Sequence, residues 1–253
     1  MSAPRAYRTD AVVLRARNLG EADKIVTLFT DLRGKISAVA KGLRRTKSHF
    51  GARLELLSVT TLNMHRGRNL DVIVAAELVR SHWDALVDPA AFATANLFAE
   101  LIDAFCEPDL PMPEVYLLLA EAGAALERST SPTDLVARFE LRLLSALGIA
   151  PPGDACVRCG GVLEGGAWLD LDSLGVACQN CRRGRGGLHD LDAADLRNFA
   201  ALGLARGGTN RPAALATPNV ARAVDSLVTH HLGKRAKSSS YVDELRAQVR
   251  PGA

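Results

Sequence analysis

Residues 11–41 read AVVLRARNLGEADKIVTLFTDLRGKISAVAK, and this stretch decides how the first part of the chain is interpreted. Short runs rich in Val, Ile, Leu and Thr, typical of β-strands, cover Ala11–Ala16, Lys24–Thr30 and Lys35–Lys41. Asn-Leu-Gly and Asp-Leu-Arg-Gly separate these runs and supply turn residues. The second separator, Asp31–Gly34, predicts a hairpin between the strands on either side of it.

Two further strands are predicted downstream, at Leu54–Met64 and Leu70–Leu78, with a turn at His65–Asn69 between them. Five short strands in about 70 residues fit a small closed or partly open barrel. The oligonucleotide-binding (OB) barrel is one such five-stranded design, and a small SH3-like barrel would give a similar pattern. The strand pattern therefore predicts a small barrel and leaves its type open.

The hydrophobic period changes to that of a helix after about residue 83. Apolar residues recur at helical spacing from Phe92 to Phe105, and Asp88-Pro89 supplies an N-cap followed by proline at the first helical position. Further helices are predicted at 113–127, 131–148, 192–204, 217–232 and 240–249. Ser131-Pro132 and Thr217-Pro218 are predicted to begin two of them, and Gly233 to end one.

Two pairs of cysteines interrupt the helical part, as Cys156-Val-Arg-Cys159 and Cys178-Gln-Asn-Cys181, with 18 residues between the pairs. Each CxxC turn lets two thiolates converge on one tetrahedral ion, and two such turns supply a closed shell of four sulfurs. This donor set predicts one structural Zn²⁺, with iron as the main competitor. A ribbon that has lost its metal, or a redox dithiol, is the alternative. The remaining Cys106 lies on an apolar helix face and is predicted to be a core residue.

The fold class that these patterns predict is α+β and multidomain. An N-terminal five-stranded barrel, of the OB type or SH3-like, is followed by an all-α domain, which a four-cysteine zinc ribbon interrupts. The predicted boundaries are 1–80 for the DNA-binding barrel, 81–150 for the first helical part, 151–187 for the ribbon and 188–253 for the second helical part.

Composition limits the function classes. Of the 253 residues, 48% are hydrophobic and 23% are charged, which excludes wholesale disorder. The longest apolar run, Val115–Ala120, is far shorter than a membrane span, and the first residues lack the apolar stretch of a signal peptide. We therefore expect a cytoplasmic protein. No P-loop, zinc-protease or serine-hydrolase motif occurs, so the sequence predicts no catalysis.

The charge is distributed unevenly along the chain. Residues 1–80 hold 15 Lys or Arg against 7 Asp or Glu, for a formal charge of +8, whereas residues 81–150 hold 3 against 11, for −8. A basic first segment is the expected footprint of a polyanion binder. Mutual packing of the basic and acidic segments would also explain the asymmetry.

Candidate DNA-binding residues cluster on one strand of the basic segment, the loop after it, and the next turn. They are Lys35, Lys41, Arg44, Arg45, Lys47, Arg53, His65, Arg66 and Arg68. On a small barrel these residues could lie on one side and line a groove. We expect this groove to bind phosphates rather than to read bases, since aromatic residues are sparse nearby. The alternative is a solvated basic surface without a ligand.

Five pieces of the chain, taken in order, carry a resemblance to a known family. They are TDAVVLRARNLGEADKIVTLFT at 9–30, AKGLRRTKSHFGARLELL at 40–57, MHRGRNLDVIVAAEL at 64–78, the two CxxC pairs, and HHLGKRAKSSSYVDEL at 230–245. The chain resembles the RecO family of bacterial recombination mediators over essentially its whole length. The family architecture is an OB barrel followed by a helical domain, in which some members carry a zinc ribbon.

The resemblance implies a non-enzymatic, nucleoid-associated DNA repair protein of the RecF pathway. Such proteins bind single- and double-stranded DNA, anneal complementary strands, and act with RecR to help RecA load on DNA coated by single-strand-binding protein (SSB). Some also bind the C-terminal tail of SSB. Two other classes are weighed against this one: a zinc-ribbon transcription- or translation-associated factor, and a zinc-dependent enzyme, which a closed shell of four thiolates disfavours.

Overall fold

The computed structural model describes residues 5–42, 51–129, 131–163, 165–182, 189–204 and 216–248. The chain forms two compact units. The first contains the chain up to Arg128 together with the chain from Lys237 onward, and the second is Ser129–Ala236. Among the described residues, no helix has the length and apolar character needed to cross a membrane.

A closed five-stranded barrel opens the first unit. Its strands are β1 (Ala6–Leu19), β2 (Asp23–Thr30), β3 (Gly34–Ala40), β4 (Val59–His65) and β5 (Asp71–Arg80). The strands follow one another around the barrel in the order β1-β2-β3-β5-β4, with β4 pairing back onto β1. Only β3 and β5 run parallel, over three residue pairs. The predicted OB-type barrel and its β2–β3 hairpin are confirmed.

Strand β1 serves two neighbours because it is long and irregular. Ala6–Val12 pairs with β4, and Ala11–Leu19 pairs with β2, with a bulge between Val13 and Arg15. Inside the barrel, side chains of alternating residues, such as Ile36, Ala38 and Ala40 of β3, form the buried core. This alternation turns the intervening residues of each strand outward.

The predicted strand Leu54–Met64 is wrong in its first half. Gly51–Leu54 is a short 3₁₀ helix, and β4 begins only at Val59. Leu57 interrupts the extended backbone with a φ of 57°, and its N–H donates to the carbonyl of Val13 at 2.8 Å. The leucine-rich pattern reflects burial of Leu54 and Leu57, which a compact turn achieves as well as a strand.

Four helices complete the first unit: α1 (Trp83–Leu86), α2 (Pro89–Phe105), α3 (Pro113–Arg128) and α7 (Lys237–Gln248). The side chain of Asp88 caps α2 as predicted, accepting from the Ala91 N–H at 2.8 Å. Helix α7 packs against α2 and begins at Lys237, three residues earlier than predicted. The reason is Glu100 of α2, whose carboxylate accepts from the N–H groups of Lys237 and Ser238 at 2.8 and 2.9 Å.

The second unit contains α4 (Pro132–Ala146), α5 (Ala193–Leu204), α6 (Pro218–Leu232) and a three-stranded ribbon. The ribbon strands are β6 (Ala167–Asp170), β7 (Gly175–Cys178) and β8 (Asp190–Leu191), in the order β7-β6-β8. The predicted caps are confirmed: Ser131 accepts from the Asp134 N–H, Thr217 accepts from the Val220 N–H, and Gly233 ends α6 with a φ of 67°.

Candidate metal centre and nucleic-acid interface

Four cysteine sulfurs meet at one end of the ribbon. Cys156 and Cys159 lie on a tight turn, in which the Gly160 N–H donates to the Cys156 carbonyl at 2.9 Å. Cys178 ends β7, and Cys181 ends the short 3₁₀ helix that follows. The Sγ atoms of all four lie within 4.8 Å of one another, so the structure brings the predicted ligands together.

Backbone N–H groups prepare one of these sulfurs as a thiolate. Burial alone would raise the pKa of Cys156, but N–H donors outweigh it and lower the pKa to about 6. Two of these donors are the N–H groups of Cys178 and Arg158, at 3.3 and 3.4 Å from the Cys156 Sγ. Hydrogen bonds that the protonated Cys181 thiol donates to the sulfurs of Cys178 and Cys159 raise the pKa of Cys181 to about 12.

The spacing of the sulfurs matches a tetrahedral metal ion. With metal–sulfur bonds of about 2.3 Å, neighbouring ligands of a tetrahedral zinc site lie about 3.8 Å apart. The Sγ atoms of Cys159 and Cys178, one from each pair, are separated by 3.9 Å. The residues present therefore fit a metal held by four thiolates, with no coordination position left for a substrate.

Part of the buried core of the ribbon lies against the cysteine turns. This part consists of Cys156, Trp168 and Ala177, so one candidate metal ligand is also part of the core. The Trp168 indole N–H donates to the Cys178 carbonyl at 3.2 Å. Arg158 forms an ion pair with Asp170, and its guanidinium lies 5.9 Å from the centre of the Trp168 ring. These contacts all converge on the cysteine turns, so the metal site and the local fold depend on each other.

A row of outward-facing residues crosses the barrel in register. Ile25 pairs with Val39, Val39 with Val72, and Val72 with His65, and Arg17 pairs with Ile25 at the other end. The middle of the row is apolar and half-buried, whereas Arg17 and His65 are exposed. Lys41 is exposed just after β3. Ala38 of β3 pairs with Asp71, the first residue of β5, and Lys41 follows Ala38 by three residues. At about 3.3 Å per residue, Lys41 therefore lies about 10 Å beyond Asp71 along the strand direction.

The turn from β4 to β5 adds two exposed arginines, Arg66 and Arg68. The Arg66 guanidinium lies over the Tyr7 ring, 5.5 Å from its centre. The turn is tight, because a Cβ at Gly67 would collide with the carbonyl oxygen of Leu70. Within the described part of the chain, no carboxylate lies within ion-pairing distance of Lys41, Arg66 or Arg68, so their charges face solvent uncompensated.

A hydrogen-bonded network beneath this turn was not predicted from the sequence. Tyr7 donates its hydroxyl to Asp71, and Arg33 donates to both, at 3.0 Å to the Tyr7 hydroxyl and 2.6 Å to the Asp71 carboxylate. The Gly67 N–H also donates to Asp71, at 3.2 Å. Burial and the Asp71 carboxylate raise the pKa of Tyr7 to about 12. Because Asp71 begins β5 and anchors Gly67, the network fixes the turn that presents Arg66.

The other predicted DNA-binding residues have different surroundings. Lys35 is only 13% exposed in its side chain, and its Nζ lies 3.3 Å from an Asp103 carboxylate oxygen on α2. The charge of Lys35 is therefore paired with a carboxylate of the first unit, unlike the charges of Lys41, Arg66 and Arg68. Arg53 is exposed at the end of the 3₁₀ helix. Arg44, Arg45 and Lys47 lie outside the described residues. The aspartate partner of Lys35 is 68 residues away in sequence, so no local pattern indicated it.

Two family models together match most of the chain. The model described as Recombination protein O N terminal matches residues 1–82, and Recombination protein O C terminal matches residues 86–240. Similar proteins include the DNA repair protein RecO of Symbiobacterium thermophilum, 33% identical over 249 residues that span 95% of this chain and 98% of that protein. The DNA repair protein RecO of Cutibacterium acnes is 41% identical over 185 residues, 70% of this chain and 74% of that protein.

Proposed function

The chain belongs to the Recombination protein O family of DNA repair proteins, and from this premise we propose that it is a non-enzymatic DNA-binding recombination mediator. It binds single- and double-stranded DNA and anneals complementary strands. The observation that carries the proposal is the set of exposed, uncompensated cations Lys41, Arg66 and Arg68 around an outward row on an OB-type barrel.

Annealing requires no bond chemistry on this account. Two strands approach one another only when the charge of their phosphates is neutralised, and they search for register only when the contacts are weak. Cations on exposed, flexible side chains meet both needs, since they bind phosphates without reading bases. The half-buried Val39 and Val72 between them offer a surface that sugars and bases can cross.

The ribbon holds one structural Zn²⁺ through Cys156, Cys159, Cys178 and Cys181. When bound, the metal supplies folding free energy to the ribbon, and the closed shell of sulfurs leaves it without a role in turnover. The all-thiolate donor set and the sulfur spacing support zinc.

The partners follow from the family. The protein acts in the cytoplasm at the nucleoid, where it pairs with RecR, binds the C-terminal tail of SSB and helps RecA to load in the RecF pathway. A pull-down with the purified chain tests RecR and SSB directly, and capture of neither protein would remove both from the proposal.

The salt dependence of DNA binding tests the central claim. Replacing both Arg66 and Arg68 with Ala should reduce affinity for all sequences alike and lower the salt slope by about one to two units, since each lost phosphate contact is worth about 0.9 on duplex DNA. Fluorescence anisotropy over a salt series measures both. Arg128→Ala is the matched control, because Arg128 is exposed at the end of α3. Unchanged slopes in the double variant, or an equal loss in the control, would contradict the proposal.

A further inference from the structure

The first unit contains a cavity of about 350 Å³ between the barrel and helix α2. This volume falls within the range of small-ligand sites, about 300–1,000 Å³. Leu14 and Arg15 of β1, Lys24 of β2 and the segment Leu54–Leu56 line it on the barrel side. Phe92 and Asn96, one turn apart on α2, line the other side.

Two backbone irregularities shape the cavity. The bulge between Val13 and Arg15 breaks the regular pairing of β1 where its residues enter the lining. Opposite it, Leu57 adopts a φ of 57°, and hydrogen bonds link its turn to Val13: the Leu57 N–H donates to the Val13 carbonyl, and the Val13 N–H to the Ser58 carbonyl at 3.1 Å. Bulges and positive φ at non-glycine residues concentrate at functional sites. The cavity is thus built into the backbone.

The lining combines an apolar floor with polar edges. Leu14 is almost fully buried, whereas Phe92 is 51% exposed, so part of its ring is open to a ligand. Asn96 adds an amide, whose nitrogen also donates to the Phe92 carbonyl at 2.8 Å, Glu55 adds a carboxylate, and Arg15 and Lys24 add two cations. Asp103 lies 3.0 Å from Arg15 and 3.3 Å from Lys35, so these two cations share one carboxylate.

We propose that this cavity receives one nucleobase of single-stranded DNA, stacked on Phe92, with the flanking phosphates at Arg15 and Lys24. A base needs a flat apolar contact together with donors and acceptors at its edge, which is the combination that the lining supplies. An aliphatic side chain of a protein partner would contact the apolar residues of the cavity but would form no hydrogen bond with Asn96 or Glu55. This inference rests on the proposed DNA-binding function and assigns a ligand to the cavity between the barrel and α2.

The cavity lies beside the Arg17 end of the outward row. Lys24 pairs with Ala40, so it lies beside the end of β3 that leads to Lys41. Arg15 faces the same way as Arg17, the exposed end of the outward row, two residues further along β1. A strand held by its phosphates along this row therefore passes the mouth of the cavity.

The site discriminates between single and double strands. A paired base leaves its stack only when its base pair and stacking contacts break, whereas the bases of a single strand are already unpaired. The cations hold either form of DNA, and the cavity adds affinity only for single strands.

The test compares an oligothymidylate with an abasic strand of equal length and charge, bound to the full chain. The wild type should bind the oligothymidylate about 5- to 100-fold more tightly, the range expected from one base–aromatic stack. Phe92→Ala should lose this preference while its affinity for the abasic strand and for duplex DNA stays unchanged. Phe92→Trp, which keeps a stacking face, should retain the preference. The control is Val87→Ala, since Val87 is 70% exposed just before α2 and does not line the cavity.

Three outcomes would overturn the inference. One is an equal affinity of the wild type for both strands. Another is a loss in Phe92→Ala that is the same for oligothymidylate, abasic strand and duplex. The third is a preference that survives in Phe92→Ala while an acidic, apolar peptide binds in a Phe92-dependent way, which would assign the cavity to a protein. Each leaves phosphate-dependent DNA binding intact, whereas absence of any salt-sensitive binding by the wild type would remove the proposed function itself.

Discussion

The barrel and the ribbon are both small β-structures, but they are stabilised in different ways. The barrel encloses a cluster of eleven buried residues contributed by its strands and by Leu54. The ribbon buries Ala167, Leu169, Val176 and Leu191 along its strands, and the cluster beside its cysteine turns has three residues, of which one is a candidate metal ligand. A structure stabilised from within can leave charges on its surface unpaired, as Lys41, Arg66 and Arg68 are. In the ribbon a candidate metal ligand also fills part of the core, so the candidate metal site and the local fold depend on the same residue.

The largest expected effect comes from the ribbon, by Cys178→Ser. Removing one of four thiolates should abolish stable metal binding and unfold the ribbon, since structural zinc contributes on the order of 10–16 kcal/mol in small zinc domains. Elemental analysis should fall from about one zinc per chain to none. Circular dichroism should still show the barrel and helices.

The control for the ribbon variant is Cys106→Ala. Cys106 is buried at the end of α2, where burial raises the pKa of its thiol to about 11, and it lies outside the cysteine cluster. This variant should keep its zinc. Full metal retention in Cys178→Ser would show that the four cysteines do not form one site. The ribbon would then not differ from the barrel in depending on a metal site for its fold.

The next effect concerns the barrel surface, by changing Arg44 and Arg45 together to Ala. If these neighbours of Lys41 in sequence also contact phosphates, the salt slope should fall by about one to two units. Strand annealing should fall with it, because both strands must be neutralised on one surface. Anisotropy and an annealing assay measure the two effects. An affinity loss that depends on base sequence would instead indicate base readout.

A smaller effect is expected within the first unit, by Glu100→Gln. The carboxylate of Glu100 accepts from two N–H groups at the start of α7, and replacing it should cost about 1–2 kcal/mol of unfolding free energy. Burial alone would raise the pKa of Glu100, but the N–H groups of Ser238 and Lys237 outweigh it and lower the pKa. Denaturant unfolding of both proteins over a pH series measures the difference.

The lowered pKa of Glu100 fixes the sign of that pH dependence. A group whose pKa is lower in the folded state binds its proton more readily when unfolded, so its stabilisation is complete above the unfolded pKa, about 4.3 for Glu. It is lost as the pH falls through the folded value. The wild type and Glu100→Gln should therefore converge in stability in acid, and a constant difference down to the lowest pH would refute this role of the carboxylate.

The smallest effect is expected for Tyr7→Phe. The change removes the hydroxyl that links Arg33 and Asp71 and should cost about 1 kcal/mol of stability. It keeps the ring beneath Arg66, so DNA affinity should stay the same. Tyr7→Ala removes the ring as well and should weaken DNA binding in addition. Thermal unfolding and anisotropy separate the two variants, and equal DNA binding by both would show that the ring does not position Arg66.

Local patterns predicted the elements that depend on local physics. The period of apolar residues gave the barrel and the helices, and Asp88, Ser131 and Thr217 acted as caps where a short polar residue precedes proline. The CxxC spacing predicted which sulfurs converge.

Contacts between residues far apart in sequence were not predictable in the same way. Lys35 forms an ion pair with Asp103. The Lys237 N–H at the start of α7 donates to the carboxylate of Glu100, which lies 137 residues earlier in the chain. Both pairs depend on how α2 packs, which no single stretch of sequence encodes. The turn at Leu57 was missed for a related reason, because burial makes a residue apolar whether it lies in a strand or in a turn.

The placement of α7 has a consequence for synthesis on the ribosome. The first unit is discontinuous, since the chain leaves it at Arg128 and returns only at Lys237. The barrel, α2 and α3 emerge first, but the surface of α2 that α7 covers stays open until the whole second unit has been made. The second unit is continuous in sequence and can fold while that surface waits. Completion of the first unit is therefore one of the last events of translation, and a chain that stalls before Lys237 has the barrel but lacks the helix that covers α2.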